Sequence, residues 1–242
     1  MISVEHFSYD YGEHLAVDDI SFELQSGEIV ALIGPNGAGK STTMKVLTTL
    51  LKPSCGRIRV AGYDVLENPM KVRENLGYLP ETNPLYGDMI VYDALKSVAS
   101  QRKIPRDRRE EAIDTVARQC SLLEVMHRPI EDLSRGYRQR VGIAQAIIHH
   151  PKVLILDEAT TGLDPNQICE IRDLIVEIGQ ERTVLMSTHI LQEVTAIAKR
   201  VILLHRGHIA CDGPVTELLA DLAKNKKQGS ATIEDLFHEY TK

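Results

Sequence analysis

The sequence predicts an α/β fold in which helices cover both faces of a parallel β-sheet. Three short apolar runs, at residues 153–156, 184–187 and 201–204, are separated by stretches with helical spacing. That alternation is typical of buried parallel strands. Earlier in the chain, a strand, a glycine-rich loop and a helix follow one another, as in the first unit of such a sheet.

The N-terminal region is predicted to be β structure. Ile20, Phe22 and Leu24 alternate with polar residues, which is the period of a half-buried strand. A serine–glycine turn then leads into a buried strand at residues 28–33. Residues 40–51, after the glycine-rich loop, predict a helix that stops before the next proline, since proline cannot continue a helix.

The remaining chain is predicted to be a helical insert followed by the rest of the sheet. Apolar residues recur at helical spacing from about 91 to 150, with prolines as breaks. A tight turn at residues 206–207 is expected before a last strand. Residues 224–230 are polar and predict a linker, and residues 233–240 predict a short closing helix with Thr232 as its N-cap.

Composition excludes several classes of protein. With 242 residues, 43% of them hydrophobic, the chain can form one large domain or two small lobes. The net charge of −6 gives no general attraction to nucleic acid. The four cysteines lack the spacing of a zinc site or a disulfide framework. We expect no signal peptide and no membrane span, because no apolar run approaches about 20 residues.

The strongest local signal is the loop at residues 34–41, which matches G-x-x-x-x-G-K-[ST] at every fixed position. Its backbone N–H groups and the following helix N-terminus form a phosphate cradle. Lys40 is expected to reach the β- and γ-phosphates of ATP, and Ser41 to offer its hydroxyl to Mg²⁺. The expected nucleotide contacts here are Gly34, Pro35, Asn36, Gly37, Ala38, Gly39, Lys40, Ser41 and Thr42.

Two carboxylates, Asp157 and Glu158, end an apolar strand. Ligands of open α/β sheets bind beyond the carboxyl ends of the strands, so these acids should emerge beside the glycine-rich loop. Asp157 is expected to hold the metal, and Glu158 to position and deprotonate the attacking water. Taken alone, the pair could be a solvated acidic turn; together with the loop it indicates a P-loop NTPase.

Residues 133–140 resemble the signature motif of the ABC ATPases, although a serine N-cap before a basic helix would have the same pattern. Tyr11 lies where that family has an aromatic that stacks on adenine. Residues 162–164 resemble the family's D-loop, and His189 its switch histidine. The motifs occur in family order, and the resemblance extends from residue 4 to about 219.

The resemblance implies a P-loop NTPase core with a parallel sheet, an N-terminal antiparallel β subdomain and an inserted helical subdomain. The ABC ATPase domain would span residues 1–223, with the helical subdomain at about 84–150. Residues 224–242 would form a linker and a short C-terminal helix.

The resemblance also implies how ATP and Mg²⁺ are handled. Two nucleotide-binding domains would face head to tail and enclose two ATP molecules, and each site would need both chains. The implied catalytic residues are Glu158, His189, Lys40 and Glu81, and the implied metal ligands are Ser41, Glu81 and Asp157. The further implied nucleotide contacts are Tyr11, Ser134, Gly136 and Asp164, of which Ser134 and Gly136 would come from the partner chain.

The runs at residues 76–81 and 134–140 resemble ATP-binding subunits of ABC-2 type exporters, including gliding-motility and multidrug types. This resemblance implies separate transmembrane permease subunits, which would contact residues 81–91 at the cytoplasmic face of the cell membrane. A homodimer is expected, although pairing with a related subunit stays open. No nucleic-acid partner is expected.

Two alternatives are a soluble ABC ATPase of the iron–sulfur assembly or regulatory kind and a DNA-repair or translation ABC protein. The signature region favours the exporter branch over the first. The 93 residues between Lys40 and Ser134 leave no room for the long coiled coil or second cassette of the last class. The basic cluster at residues 102–109 fits a solvated edge or an anionic membrane face better than DNA.

Some positions depart from the commonest family pattern. Glu81 replaces the Q-loop glutamine, and Ala159 replaces a proline. A carboxylate can still meet Mg²⁺, but it cannot donate the amide hydrogen bond. Arg135 and Tyr137 replace a glycine and a glutamine. Arg135 adds a positive charge near the opposing γ-phosphate, where it would either assist the reaction or only occupy solvent.

Overall fold

The computed structural model describes residues 1–225 and 231–241. Its strands are β1 (Ile2–Asp10), β2 (Leu15–Leu24), β3 (Ile29–Ile33), β4 (Cys55–Val60), β5 (Tyr63–Asp64), β6 (Leu76–Leu79), β7 (Val153–Asp157), β8 (Thr183–Ser187), β9 (Arg200–His205) and β10 (His208–Pro214). Its helices are α1 (Lys40–Leu47), α2 (Pro69–Asn75), α3 (Val91–Gln101), α4 (Arg109–Gln119), α5 (Arg135–Ile147), α6 (Pro165–Gly179), α7 (Leu191–Ile197), α8 (Val215–Asn225) and α9 (Ile233–Tyr240).

The N-terminal strands form an antiparallel sheet in the order β2-β1-β4-β5. Strand β1 pairs with both β2 and β4, so it lies inside the sheet. Ile20, Phe22 and Leu24 of β2 are buried while the residues between them are exposed. The predicted half-buried strand and the antiparallel N-terminal subdomain are therefore confirmed.

The core sheet has the order β10-β9-β3-β8-β7-β6. Strands β9, β3, β8, β7 and β6 are mutually parallel, as predicted, and β10 returns antiparallel to β9 through the turn at residues 206–207. The carboxyl ends of the parallel strands meet along one edge of the sheet. The loops after β3, β6, β7 and β8 therefore converge there.

Apolar residues of β3 pack on opposite faces of the core sheet, which explains its unbroken apolar run. Ala31 and Ile33 belong to the core shared with the helical region and with α5 to α9. Val30 and Leu32 belong to the core between the core sheet, α1 and the N-terminal sheet. The loop after β3 is thus held by packing on both sides.

The predicted helical insert consists of α3, α4 and α5, joined by short 3₁₀ turns. Strand β6, which precedes it, pairs with β7, so the insert leaves the core sheet and returns to it. No helix in the described residues is both long and apolar enough to cross a membrane.

Helix α1 is shorter than the sequence predicts, because it ends at Leu47 rather than at residue 51. Thr49 has a left-handed backbone with φ of 63°, which stops the helical repeat. The N–H groups of Leu50 and Leu51 both donate to the carbonyl of Lys45, closing the turn. Leu50 is apolar but 62% exposed, so it extends the helical pattern in the sequence without belonging to a buried helix face.

The C-terminal helix α9 occupies the predicted residues. Thr232 is its N-cap and accepts a hydrogen bond from the N–H of Asp235, as expected. Lys224 lies in α8 instead of in the predicted linker. The rest of that predicted linker, residues 226–230, lies outside the described residues.

Candidate active site

The glycine-rich loop joins β3 to α1 and is shaped by close backbone contacts. Gly34 and Gly39 both have positive φ, of 152° and 103°. A Cβ atom on Gly34 would lie 2.2 Å from the carbonyl oxygen of Leu204, and one on Gly39 would lie 2.6 Å from that of Ala16. Only glycine therefore fits at these two positions.

Lys40 follows the loop and is 7% exposed. Its Nζ donates to the carbonyl oxygens of Gly34 and Pro35, at 2.7 and 3.2 Å. Burial lowers the pKa of Lys40, against the opposing attraction of Glu158, Asp157 and Glu81. The ammonium thus lies over the loop, close to three carboxylates that end other strands or follow them.

Asp157 ends β7 and is only 3% exposed. Its Oδ1 accepts a 2.5 Å hydrogen bond from the Oγ of Ser187, at the end of β8. Burial raises the pKa of Asp157, with added repulsion from Glu81 and Glu158, while Ser187 and Lys40 act in the opposite sense. A cation near Asp157 would relieve this unfavourable environment.

Glu158 has a left-handed backbone with φ of 54°, and its N–H donates to the Oγ of Ser187 at 3.0 Å. Its Oε2 accepts a hydrogen bond from the Oγ1 of Thr161 at 2.8 Å and lies 2.7 Å from the Nδ1 of His189. Because an ionised carboxylate can only accept, Nδ1 carries the proton in this pair. Both neighbours therefore donate to the same carboxylate oxygen.

A cavity of about 580 Å³ brings most of the predicted site residues together. The residues predicted from the sequence that line this cavity are Tyr11, Gly34, Pro35, Asn36, Gly37, Ala38, Gly39, Lys40, Ser41, Thr42, Glu81, Glu158 and His189. Asp157 is buried nearby, close enough to Lys40 for each to affect the pKa of the other. The volume lies within the range of small-molecule sites.

Tyr11 is 55% exposed at the rim of this cavity. Its hydroxyl lies 3.4 Å from the Oγ1 of Thr42, and its ring packs against that of Tyr9 with the centroids 4.8 Å apart. The ring is thus braced on one side by Tyr9 and exposed enough to stack on a flat ligand.

The cavity also has lining residues that sequence reasoning missed: His14, Ala16, Thr161 and Phe237. Thr161 could have been inferred, since a hydroxyl three residues after Glu158 can reach back to its carboxylate. Phe237 carried no such signal, because it lies in α9, far along the chain from every motif.

Three other predicted nucleotide contacts, Ser134, Gly136 and Asp164, line a different cavity. Ser134 is the N-cap of α5 and accepts from the N–H of Tyr137, so the simpler N-cap interpretation is also correct. Asp164 is the N-cap of α6. A Cβ on Gly136 would lie 2.7 Å from the side chain of Gln167. Within the described residues, these three do not line the cavity of Lys40.

Comparisons with known proteins agree with this fold. A family model described as ABC transporter matches residues 17–161. The ABC transporter ATP-binding protein NatA of Bacillus subtilis is 35% identical over 206 residues, covering 84% of this chain and 83% of NatA. The lantibiotic transport ATP-binding protein SrtF of Streptococcus pyogenes is 33% identical over 239 residues, covering 98% of this chain and 96% of SrtF.

A solved structure described as the ATP binding subunit of an ABC transporter superposes with a TM-score of 0.88. It is 29% identical, and the match covers 100% of both chains. The likeness includes the antiparallel N-terminal sheet, the mixed core sheet and the helical insertion. The chain therefore belongs to the ABC transporter family, as an ATP-binding subunit that hydrolyses ATP.

Proposed function

We propose that this chain hydrolyses ATP at a site shared between two copies and that closure of the pair powers export through separate membrane subunits. The observation that carries the proposal is the separation of two half-sites on one chain. The glycine-rich loop, Glu158 and His189 line one cavity, whereas Ser134 and Gly136 line another. A head-to-tail pair brings the first half-site of each chain against the second half-site of the other.

In the proposed reaction, the triphosphate lies along residues 34–42 and adenine stacks on Tyr11. Lys40 exchanges its contacts with the carbonyls of Gly34 and Pro35 for phosphate oxygens. Glu158 orients the attacking water and accepts its proton. His189, hydrogen-bonded to Glu158 through Nδ1, holds that carboxylate in place.

The donor set fits Mg²⁺ held together with a nucleotide. Among the described residues, no group of three or more His, Cys, Asp or Glu side chains is placed to hold a metal by itself. Mg²⁺ does not need one, because it usually binds one or two carboxylates, water and substrate phosphates. Ser41, Asp157 and Glu81 would hold it, and when bound it offsets negative charge on the phosphates.

Glu158 and Lys40 give the sharpest test of the chemistry. Glu158→Gln should lower ATP turnover by about 100- to 10,000-fold, because the amide cannot accept the proton. Its Kd for ATP with Mg²⁺ should stay near the parental value. Lys40→Ala should lose most nucleotide affinity, and Lys45→Ala is the matched control, since Lys45 is an exposed lysine of the same helix. Parental turnover in Glu158→Gln would refute its role as the base.

The export role rests on the exporter-like runs at residues 76–81 and 134–140 and on the similarity to transport proteins such as SrtF. Tyr86, which is 74% exposed at the predicted membrane-subunit surface, supports a partner there. A permease subunit bound at this surface would hold the chain at the cytoplasmic face of the cell membrane. A homodimer bound to permease subunits is the assembly we expect.

Affinity purification from detergent-solubilised cells tests this assembly. The tagged chain should be recovered with an integral membrane protein, and Tyr86→Ala should lower that recovery while ATP binding is kept. Recovery with soluble scaffold proteins and no membrane protein would favour the iron–sulfur assembly alternative and contradict export.

A further inference from the structure

Helix α9 lies outside residues 17–161, which the ABC transporter family model matches, yet it is firmly docked on the ATPase core. It begins with a reciprocal capping box between Thr232 and Asp235. Ile233 and Leu236 are 3% and 1% exposed. They belong to the hydrophobic core that the core sheet shares with the helical region and with α5 to α9. The helix packs against α7, α8 and β9.

Phe237 extends the buried face of α9 to the nucleotide cavity. Residues 233, 236 and 237 have the i, i+3, i+4 spacing of one helix face. The first two enter the core, and Phe237 lines the same cavity as Lys40 and His189. Helix α7, against which α9 packs, begins at Leu191, just after His189. Helix α9 therefore contacts the site directly, through Phe237, and indirectly, through helix α7, which follows His189.

We propose that Phe237 is a nucleotide-contact residue and that docking of α9 is coupled to ATP binding. This inference rests on the proposed ATP site in the cavity of Lys40. A nucleotide that fills the cavity covers the Phe237 ring, and burial of apolar surface favours the filled state. Thermodynamic linkage makes the effect reciprocal: nucleotide stabilises docked α9, and docked α9 strengthens nucleotide binding.

The chemistry of Phe237 predicts which kinetic constant changes. Its ring carries no proton donor, acceptor or charge for the reaction, so it contributes to binding more than to the hydrolytic step. Phe237→Ala should weaken ATP binding by about three- to tenfold. It should also raise the KM for ATP more than it lowers kcat. Phe237→Tyr, which keeps the ring, should restore most of the affinity.

Hydrogen exchange of the full-length protein reads the docking of α9. Amides of residues 234–240 should exchange several-fold more slowly when a non-hydrolysable ATP analogue and Mg²⁺ are added. Phe237→Ala should remove this protection. Tyr240→Ala is the matched control, because Tyr240 is a 40% exposed aromatic of the same helix that does not line the cavity among the described residues. It should behave like the parent.

Leu236→Ala gives an independent test, because it loosens the docked helix without touching the cavity. It should speed exchange in α9 and weaken ATP binding, while exchange in β3 and α1 stays parental and shows that the core is folded. The inference would be overturned if Phe237→Ala bound ATP with parental affinity. It would also be overturned if hydrogen exchange in α9 did not change when nucleotide is added. If one of these results is found while Lys40→Ala loses ATP binding, the inference about α9 fails but the proposed ATP site remains supported. If Lys40→Ala binds ATP as well as the parent, the proposed ATP site itself is wrong.

Discussion

At the residue scale, the site is organised around one serine and one glutamate. Ser187 donates to Asp157 and accepts from the backbone N–H of Glu158, so it ties the ends of β7 and β8 together. Thr161 and His189 then fix the carboxylate of Glu158 from two directions. Glu158 has a left-handed backbone and lines the cavity.

Thr161 gives a prediction at this scale. Thr161→Val removes the hydroxyl that donates to Glu158 while keeping the shape of the side chain. A hydrogen bond to a charged group contributes about 1.5 to 3 kcal/mol, and only part of it acts in the rate-limiting step. Steady-state assays should show turnover lower by about three- to thirtyfold, with the ATP affinity kept.

Thr161→Ser is the control for this prediction. It retains the hydroxyl, so its turnover should lie close to that of the parent. Equal turnover in the valine variant and the parent would show that the contact with Glu158 has no part in hydrolysis.

The sequence could predict the residues whose chemistry is written in a local motif. Lys40, Asp157 and Glu158 each stand in a recognisable pattern at or after the end of a strand. Lys40 and Glu158 line the cavity, and Asp157 lies close by. Phe237 could not be predicted in this way. Its place in the site depends on how α9 docks on the core, which no local pattern encodes.

At the element scale, the sheet could be predicted because its strands are short apolar runs between helical stretches. The end of α1 could not, since residues 48–51 continue the helical pattern and a left-handed Thr49 stops it. For β10 the sequence predicts only a tight turn before a last strand, and the pairing with β9 shows that this strand is antiparallel.

The junction between α5 and β6 gives a prediction about pH. The Nε2 of His149 lies 3.1 Å from the carbonyl oxygen of Leu76, so it donates there and Nδ1 carries no proton. Nδ1 is buried without a hydrogen-bond partner among the described residues. Burial, with repulsion from Arg102, lowers the pKa of His149 from 6.5 to about 4.

The direction of the pH dependence follows from the linkage between proton binding and folding. The unfolded chain takes up the proton at the ordinary pKa, whereas the folded chain resists it down to the lowered one. Stability from neutral His149 is therefore present above pH 6.5 and is lost as the pH falls toward 4. Denaturant unfolding should show about 3 kcal/mol less stability at pH 4 than at neutral pH from this group.

His149→Gln is the comparison, because an amide can still donate to Leu76 but does not titrate. The variant should lose less stability than the parent between pH 7 and 4, by about the amount given for His149. Parallel stability curves for the two proteins would exclude His149 as the source of the acid dependence.

At the scale of the whole molecule, the motifs of one chain line two separate cavities, and the proposed shared site depends on that separation. The sheet edge gathers the glycine-rich loop, Glu158 and His189, while the start of α5 carries Ser134 and Gly136 to another place on the surface. Motif order predicted this architecture through the family resemblance. The separation itself is a property of the packed structure.

Mixing two inactive variants tests the shared site most directly. Lys40→Ala impairs the first half-site and Ser134→Arg the second, so each protein alone should have little ATPase activity. In a mixed pair, one site carries both defects and the other carries none. Equal amounts of the two should therefore recover up to about a quarter of parental activity, since about half of the pairs are mixed and each has one intact site. A mixture no more active than its components would contradict a site built from two chains.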